Sequence, residues 1–235
     1  MSLIEVKQVS KIYNTNSIPV TALNEVTLNI EEEEFTAIVG PSGSGKTTLL
    51  NIIGGLDNPT VGNINIGGTD ISTFKTDAMI NFRLNNIGFV FQAYNLIPVF
   101  TARENVEFIM LLQGESKEKR ESEAINLLKA VDLGDKIDKK PTELSGGEQQ
   151  RVAVARALAS KPSFVLADEP TANLDSVTAN NLLDLMEQLN KEQKMTFIFS
   201  THDARVIKRA HRVITLKDGA IESDVVKNGI LTNSD

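Results

Sequence analysis

The strongest chemical signal in the sequence is the segment Gly40-Pro41-Ser42-Gly43-Ser44-Gly45-Lys46-Thr47. It matches the pattern G-x-x-x-x-G-K-[ST], in which glycines let backbone N–H groups curl around a phosphate chain. Lys46 offers a mobile cation to the outer phosphates, and Thr47 offers a hydroxyl to Mg²⁺. A short apolar run, 35–39, precedes the segment, and an apolar helix opens at Thr48. This strand–loop–helix context predicts a nucleoside triphosphate site over residues 40–48 and disfavours a plain glycine turn.

A second signal is the apolar run Phe164-Val165-Leu166-Ala167, which ends in Asp168 and Glu169. Parallel sheets present ligands at the carboxyl ends of their strands. Asp168 is therefore placed for the coordination of Mg²⁺, and Glu169 is placed to orient or deprotonate an attacking water. Acidic residues after a strand are more often turn residues or helix caps. Together with residues 40–48, this pair predicts the second half of a triphosphate-hydrolysing site.

A third signal is the string Leu144-Ser145-Gly146-Gly147-Glu148-Gln149-Gln150-Arg151, which precedes an apolar helix. Ser145 and the two glycines leave free N–H groups at the helix start, which predicts a second anion site. A lone Ser-Gly-Gly is more often an ordinary helix cap. The whole string, however, resembles the signature sequence of ATP-binding-cassette (ABC) ATPases. Glu148 stands where the commonest signature has glutamine, and it adds a negative charge beside the second anion site.

The resemblance assigns roles to further residues. Tyr13 matches an aromatic residue that stacks on adenine, although a tyrosine packed on a strand face is the alternative. Gln92 matches a glutamine that reaches Mg²⁺ and the attacking water. His202 matches a histidine that contacts the γ-phosphate, and residues 172–175 match a loop that joins two sites across a dimer. The resemblance thus implies ATP and Mg²⁺ as cofactors, three catalytic residues (Glu169, His202, Gln92), three Mg²⁺ ligands (Thr47, Gln92, Asp168), and ATP contacts from Tyr13, residues 40–48 and residues 145–148.

The segment 92–106 narrows the resemblance to the subgroup that serves lipoprotein release and macrolide export. Tyr94, Leu96 and Phe100 crowd it with apolar side chains directly after Gln92. An apolar loop there could receive a helix from a membrane partner. The alternative is that these side chains pack inside the protein.

The elements that must position these residues indicate an α/β fold. Alternating residues in the first third predict strands at 3–8, 20–23 and 26–30 and a hairpin at 63–71, and residues 75–161 are helical in character. Buried strands alternate with helices from residue 164 onward, which is typical of a parallel sheet. We expect a P-loop NTPase core with a parallel sheet, an N-terminal antiparallel β subdomain and an inserted α-helical subdomain at about 93–160. The single domain is expected to cover residues 1–224, followed by a disordered tail at 225–235.

Composition excludes several classes of protein. The 235 residues are 41% hydrophobic and 23% charged, with a net charge of −7 and no cysteine. This excludes disulfides and thiolate chemistry and argues against binding nucleic acid through bulk charge. No apolar run approaches the roughly 18 residues of a membrane helix, and the first residues alternate as in a strand and do not resemble a signal peptide.

The expected function is that of an ATP-hydrolysing subunit of a membrane transporter, a translocase lying in the cytoplasm on the inner face of the cell membrane. Two chains are expected to form a head-to-tail homodimer on ATP, in which residues 145–147 of one chain close over the γ-phosphate held by Lys46 of the other. A separate transmembrane permease would move the substrate, in export or in lipoprotein release. An ATPase that remodels the envelope without transport is the alternative. A genome-organising relative would need a coiled coil between Thr48 and Leu144, and the sequence shows no sustained heptads there.

Overall fold

The computed structural model describes residues 2–15 and 18–227, and its first sheet is antiparallel. The strand order is β2-β1-β4-β5. Its strands are β1 (Ser2–Thr15), β2 (Ile18–Glu31), β4 (Val61–Ile66) and β5 (Thr69–Asp70). The predicted hairpin at 63–71 is present as β4 and β5, while the two strands predicted at 20–23 and 26–30 form one long strand, β2.

The second sheet is parallel except for one edge strand. The strand order is β10-β9-β3-β8-β7-β6. Its strands are β3 (Phe35–Val39), β6 (Ile87–Val90), β7 (Phe164–Asp168), β8 (Thr196–Ser200), β9 (Arg212–Lys217) and β10 (Ala220–Val226). Strands β3, β7 and β8 are almost wholly buried, as apolar runs without alternation predict.

Seven α-helices lie in the described residues 2–15 and 18–227. They are α1 (Lys46–Ile53), α2 (Thr76–Asn86), α3 (Ala102–Leu112), α4 (Lys117–Ala130), α5 (Gly146–Leu158), α6 (Ser176–Gln193) and α7 (Ala204–Arg209). Helices α3, α4 and α5 pack on one another and form the helical subdomain, and α5 also packs against β6. None of the helices in the described part of the chain is both long and apolar enough to cross a bilayer.

The parallel sheet separates two apolar clusters, and β7 shows how. Phe164 and Leu166 point into a cluster with the antiparallel sheet and α1, whereas Val165 and Ala167 point into a cluster with α3 to α6. Because successive side chains of a strand alternate between faces, one apolar strand serves both clusters. The α/β architecture predicted from the sequence, with its antiparallel and helical subdomains, is confirmed.

Two local predictions were wrong. The middle of the chain was expected to be helical, but Ile87–Val90 forms β6, because its short apolar run pairs in parallel with β7. The domain was expected to end at residue 224, but β10 continues to Val226, which pairs with Arg212. The Lys227 N–H then donates to the carbonyl of His211 at 2.7 Å. The remainder of the expected tail, 228–235, lies outside the described residues.

Candidate active site

The site lies where three neighbouring strands of the parallel sheet end. Ser200, at the end of β8, is in register with Ile38 of β3 on one side and with Asp168 of β7 on the other. The segments that leave these strands therefore start side by side: the loop from Gly40, the pair 168–169, and the pair 201–202. Three segments that are far apart in the sequence therefore meet at one edge of the sheet.

A cleft of about 550 Å³ opens at this edge. It is lined by Gly40 to Thr48 together with Ala22, Gln92, Glu169, Ala172 and His202. The Lys46 ammonium lies over its own loop, where it donates to the carbonyls of Gly40 at 2.9 Å and Pro41 at 3.0 Å. The predicted residues 40–48, Gln92, Glu169 and His202 are thus brought together.

Gly45 shows why the loop needs glycine at that position. Its φ is +102°, and a Cβ built there would lie 2.5 Å from the carbonyl oxygen of Ala22. A side chain is therefore excluded both by the backbone conformation and by contact. Gly45 is also the residue before α1, and it offers no capping side chain. The N–H groups of the first turn of α1 remain available to an anion.

Thr47 and Asp168 form the part of the cleft that is suited to a hard cation. The Thr47 hydroxyl lies 3.2 and 3.4 Å from the two carboxylate oxygens of Asp168. Hydroxyl, carboxylate and amide oxygens are the donors that Mg²⁺ prefers. With Gln92 lining the same cleft, the three residues fit an Mg²⁺ ion by the chemistry of their donors.

Glu169 is held in an unusual conformation. Its φ is +45°, and its N–H donates to the Ser200 carbonyl at 2.8 Å. Its carboxylate accepts a hydrogen bond from the Thr201 hydroxyl at 3.0 Å and lies 2.6 Å from the His202 Nδ1. A left-handed glutamate persists only where its surroundings hold it in place. Both carboxylate oxygens are therefore fixed at the edge of the cleft.

Sequence reasoning missed Thr201, and Asp203 behind it. The Asp203 N–H donates to the Thr201 hydroxyl at 3.0 Å, and its carboxylate accepts from Thr171 at 2.6 Å and from the Arg205 guanidinium at 2.7 Å. The hydrogen bonds from Arg205 and then Thr171 lower the pKa of Asp203 to about 2. A polar residue directly after a buried parallel strand was the available signal for Thr201.

Tyr13 lies beside the cleft, next to Thr48. Its hydroxyl donates to the Asp57 carboxylate at 2.7 Å, and the Lys11 ammonium, which is paired with Asp57 at 2.6 Å, lies 4.9 Å from the ring centroid. Burial and the hydrogen bond with Asp57 raise the pKa of Tyr13, while the Thr48 hydroxyl acts against that shift. The ring is still 37% exposed. The side chain is anchored at its hydroxyl end, and the Lys11 ammonium lies over one face of the ring.

The signature residues do not reach the cleft of their own chain. Residues 145–148 are absent from the described residues that line it. Ser145 caps α5: its N–H donates to a Glu148 carboxylate oxygen at 2.7 Å, and its hydroxyl accepts from the Glu148 N–H at 3.3 Å. The hydrogen bond from the Ser145 backbone lowers the pKa of Glu148. The Glu148 carboxylate, which the commonest signature lacks, is therefore hydrogen-bonded within the cap of its own helix.

The two signature glycines also have a packing role within the chain. A Cβ on Gly147 would lie 2.1 Å from the Thr178 Cγ2, and one on Gly146 would lie 2.9 Å from the Tyr94 hydroxyl oxygen. Neither position accepts a side chain without local movement. Ser145, in contrast, is exposed, which makes it the residue to vary when the signature is tested.

Tyr94, Leu96 and Phe100 are half-buried, and each contacts another part of the chain. Tyr94 lies against Gly146, Leu96 packs on the apolar cluster of the helical subdomain, and the Phe100 ring lies 5.8 Å from that of Phe108. An apolar groove of about 630 Å³ lies nearby, between α2 and α3. It is lined in part by Leu56, Ile80, Leu84, Phe91, Phe108 and Leu112, with Arg83 and Arg156.

Comparison with known families gives one clear match. The sequence model described as "ABC transporter" matches residues 23–172. This stretch includes the loop of residues 40–48, the signature residues and the pair 168–169.

Similar proteins cover nearly the whole chain. The uncharacterized ABC transporter ATP-binding protein MJ0796 of Methanocaldococcus jannaschii is 45% identical over 94% of this chain and 96% of its own length. The macrolide export ATP-binding/permease protein MacB of Rhodopirellula baltica is 44% identical over 95% of this chain, which spans only 33% of that relative. A solved dimeric post-hydrolysis structure of MJ0796 bound to ADP and Pi superposes with a TM-score of 0.89 at 44% identity, covering 97% of this chain and 100% of that one.

Replacing Asp203 with asparagine should destabilise the protein in a pH-dependent way. The pKa of about 2 in the fold lies below the unfolded value of about 3.9, so the ionised, 14% exposed side chain stabilises the fold by about 2 kcal/mol at neutral pH. That contribution is complete above about pH 5 and is lost as the pH falls toward 2. Urea unfolding of Asp203→Asn and the parent should differ most at pH 7 and by roughly half as much at pH 3. A difference that does not change with pH would contradict this assignment.

Proposed function

The chain belongs to the ABC transporter family of ATPases, and from this premise we propose that it is the ATP-hydrolysing subunit of a transporter whose membrane-spanning part is a separate permease. The observation that carries the proposal is the meeting of the phosphate loop, Asp168 and the fixed carboxylate of Glu169 at one sheet edge. Phosphoryl transfer to water needs a phosphate cradle, a hard cation and an oriented water, and these residues supply the means for each.

ATP binding would use the loop of residues 40–48 and Tyr13. Backbone N–H groups at the start of α1 accept the phosphates, and Lys46 exchanges its two carbonyl partners for phosphate oxygens. The Tyr13 ring, which is fixed by Asp57 and Lys11, offers its open face to the adenine base. Both ends of the nucleotide are then held on one chain.

Thr47, Asp168 and Gln92 would hold Mg²⁺. Bound there, the ion would neutralise charge on the phosphates. The chain's own contribution is to keep the Thr47 hydroxyl and the Asp168 carboxylate together, as their distance of 3.2 Å shows.

Glu169 would act as the general base. Thr201 and His202 fix its two oxygens, so that the carboxylate can accept a proton from a water aligned with the γ-phosphate. His202 lines the cleft and bonds Glu169 through Nδ1, which leaves Nε2 directed to other partners. We propose that an Nε2–H group donates a hydrogen bond to a γ-phosphate oxygen.

A second copy of the chain would complete the site. Ser145 and its two following glycines do not line the cleft of their own chain, yet they form the start of helix α5, and helix starts suit an anion. A head-to-tail pair would place each helix start over the phosphates of the other chain and give two equivalent sites. The dimeric structure of MJ0796 with ADP and Pi supports this arrangement.

The apolar groove between α2 and α3 is our proposed docking site for the permease. Leu112 is 55% exposed and Ile80 is 47% exposed at its rim, and large exposed apolar side chains around a groove are typical of interaction sites. The MacB relatives are named as ATP-binding/permease proteins, which supports a permease as the partner. Through this contact the chain would lie on the cytoplasmic face of the membrane and drive export or lipoprotein release.

Glu169→Gln should convert the protein into an ATP-bound dimer that turns over slowly. Loss of a general base removes about 10²–10⁴-fold in rate, whereas the nearly isosteric amide leaves the phosphate loop intact. Turnover and size-exclusion chromatography with ATP check both effects, with Glu222→Gln, on β10 outside the cleft, as the matched control. Hydrolysis within a few-fold of the parent rate would show that Glu169 is not the base.

Two inactive variants should restore activity when they are mixed. Ser145→Arg should block a γ-phosphate presented by the partner while sparing ATP binding to its own loop, and Lys46→Ala should lose tight ATP binding. A mixed dimer contains one site with an intact Lys46 and an intact Ser145. ATPase activity of the mixture should therefore exceed that of either variant alone. If mixed dimers form and the ATPase activity is not restored, the two chains do not share a site, or one intact site cannot work without the other.

Leu112→Asp and Ile80→Asp should weaken binding to the permease. Burying a carboxylate in an apolar interface costs at least about 1.4 kcal/mol, or tenfold in affinity. The fraction of the chain that sediments with membranes, after expression in its native cells, should fall for both variants. Val61→Asp, at a position that is 61% exposed on β4 away from the groove, is the control. If the membrane-bound fraction is the same for all three variants, the groove is not the docking site.

A further inference from the structure

The loop that carries Gln92 contains two consecutive residues in the left-handed region. Tyr94 has φ +57° and Asn95 has φ +50°. Asparagine tolerates this conformation, but a bulky tyrosine adopts it only when neighbouring groups impose it. The contacts of these two residues therefore show what holds the loop.

Arg156 of α5 holds the loop from one side. Its Nη2 donates to the Tyr94 carbonyl at 2.8 Å, and its Nη1 donates to the Asn95 carbonyl at 2.5 Å. The planar guanidinium fork presents two N–H groups in a fixed geometry, which a lysine ammonium does not. The side chain is half-buried, and burial lowers the pKa of the guanidinium, but arginine keeps its charge in proteins.

Asn173 holds the same loop at a third carbonyl. Its Nδ2 donates to the backbone carbonyl of Gln92 itself at 2.9 Å. Three carbonyls within four residues thus accept hydrogen bonds from two segments that are remote from the loop in sequence. Neither Arg156 nor Asn173 is among the described residues that line the nucleotide cleft.

We infer that Arg156 and Asn173 are positioning residues that together set the place of Gln92 in the active site. The inference rests on the proposed function, in which Gln92 reaches Mg²⁺ and the attacking water. Both residues bind the backbone of the loop, and the Gln92 side chain is left free to face the cleft. The loop is specified by these contacts because its own left-handed residues would not favour this conformation in isolation.

Arg156 also lines the apolar groove, beside Asn95 and Phe91. One side chain therefore touches both the groove and the loop that positions Gln92. A segment that enters the groove and displaces the guanidinium would change the support of Tyr94 and Asn95 directly. The same arginine lies on α5, so movement of the signature helix would pull on the loop through two hydrogen bonds.

Arg156→Gln and Asn173→Ala test the inference through two independent readouts. The first is hydrogen–deuterium exchange of the backbone amides of residues 92–97 in the nucleotide-free chain, which should become faster in both variants. The second is steady-state kinetics, in which kcat should fall about tenfold or more while KM for ATP stays near the parent value, because the loop of residues 40–48 is untouched. Arg120→Gln is the matched control. Arg120 lies on α4, does not line the cleft, and likewise donates to a backbone carbonyl, that of Glu115.

The conservative variant and the double variant separate positioning from general stability. Arg156→Lys should recover part of kcat, because it restores the charge and one donor. The double variant should lose less than the product of the two single losses, because both residues act on one loop. Parent-like exchange and parent-like kcat in both single variants would overturn the inference, as would a raised KM with kcat unchanged. If Arg156→Gln fails to fold, the exchange rates of residues 92–97 in nucleotide-free Asn173→Ala, which alters an exposed side chain, decide on their own.

The proposed function is tested separately in the same experiment. Hydrolysis by the parent, and its loss in Lys46→Ala, supports the ATPase assignment whatever the Arg156 variants do. If the parent protein does not hydrolyse ATP, the proposed function is contradicted. The exchange rates in the nucleotide-free chain would still show whether Arg156 and Asn173 hold the loop.

Discussion

Strand β8 lies between β3 and β7, and the parallel register of these three strands places the phosphate loop, the pair 168–169 and the pair 201–202 side by side. Ser200 is level with Ile38 and with Asp168, and its carbonyl accepts the N–H of Glu169. Slipping one strand by a single residue would send each following side chain to the opposite face of the sheet. The buried apolar residues on both faces of β7 therefore fix the register, and the register fixes the distance between the phosphate loop, the candidate Mg²⁺ ligands and the candidate base.

The polar groups at this edge are held by a second layer, which explains why the strained ones persist. Glu169 adopts a positive φ and is tied by Thr201 and His202. Thr201 is tied in turn by Asp203, whose carboxylate is held by Arg205 and Thr171. The loop of Gln92 follows the same principle, with Arg156 and Asn173 as its supports. In both places, side chains outside the cleft decide the conformation of a backbone that enters it.

The candidate site residues that the sequence offered are those with a short local pattern. Residues 40–47 and 145–147 could be read because glycine, lysine and serine at fixed spacing serve a helix start. The strand β6 was not assigned, because its short run Ile87–Val90 is interrupted by Gly88 and takes its strand character from pairing with β7. Thr201 and Arg156 were missed because the groups they hold, Glu169 and the carbonyls of residues 94 and 95, are distant in sequence and come close only after packing. Asp203 was missed because its role depends on Thr201 and on the distant Thr171. The inward packing of Leu96 was likewise invisible, since an apolar side chain suits a core and a partner surface equally.

The central claim is that the helix start at Ser145 serves the cleft of a second chain. The 235 residues contain no cysteine, so a cross-linker that reacts with thiols can join only cysteines that are introduced by mutation. Ser42→Cys on one chain and Ser145→Cys on the other, both in the Glu169→Gln background, bring one thiol to the cleft and one to the signature. A short bifunctional thiol cross-linker should join the two chains into a covalent dimer when ATP is present and not when it is absent. Cross-linking that ignores ATP, or that joins the two cysteines only when both are on one chain, would contradict the shared site.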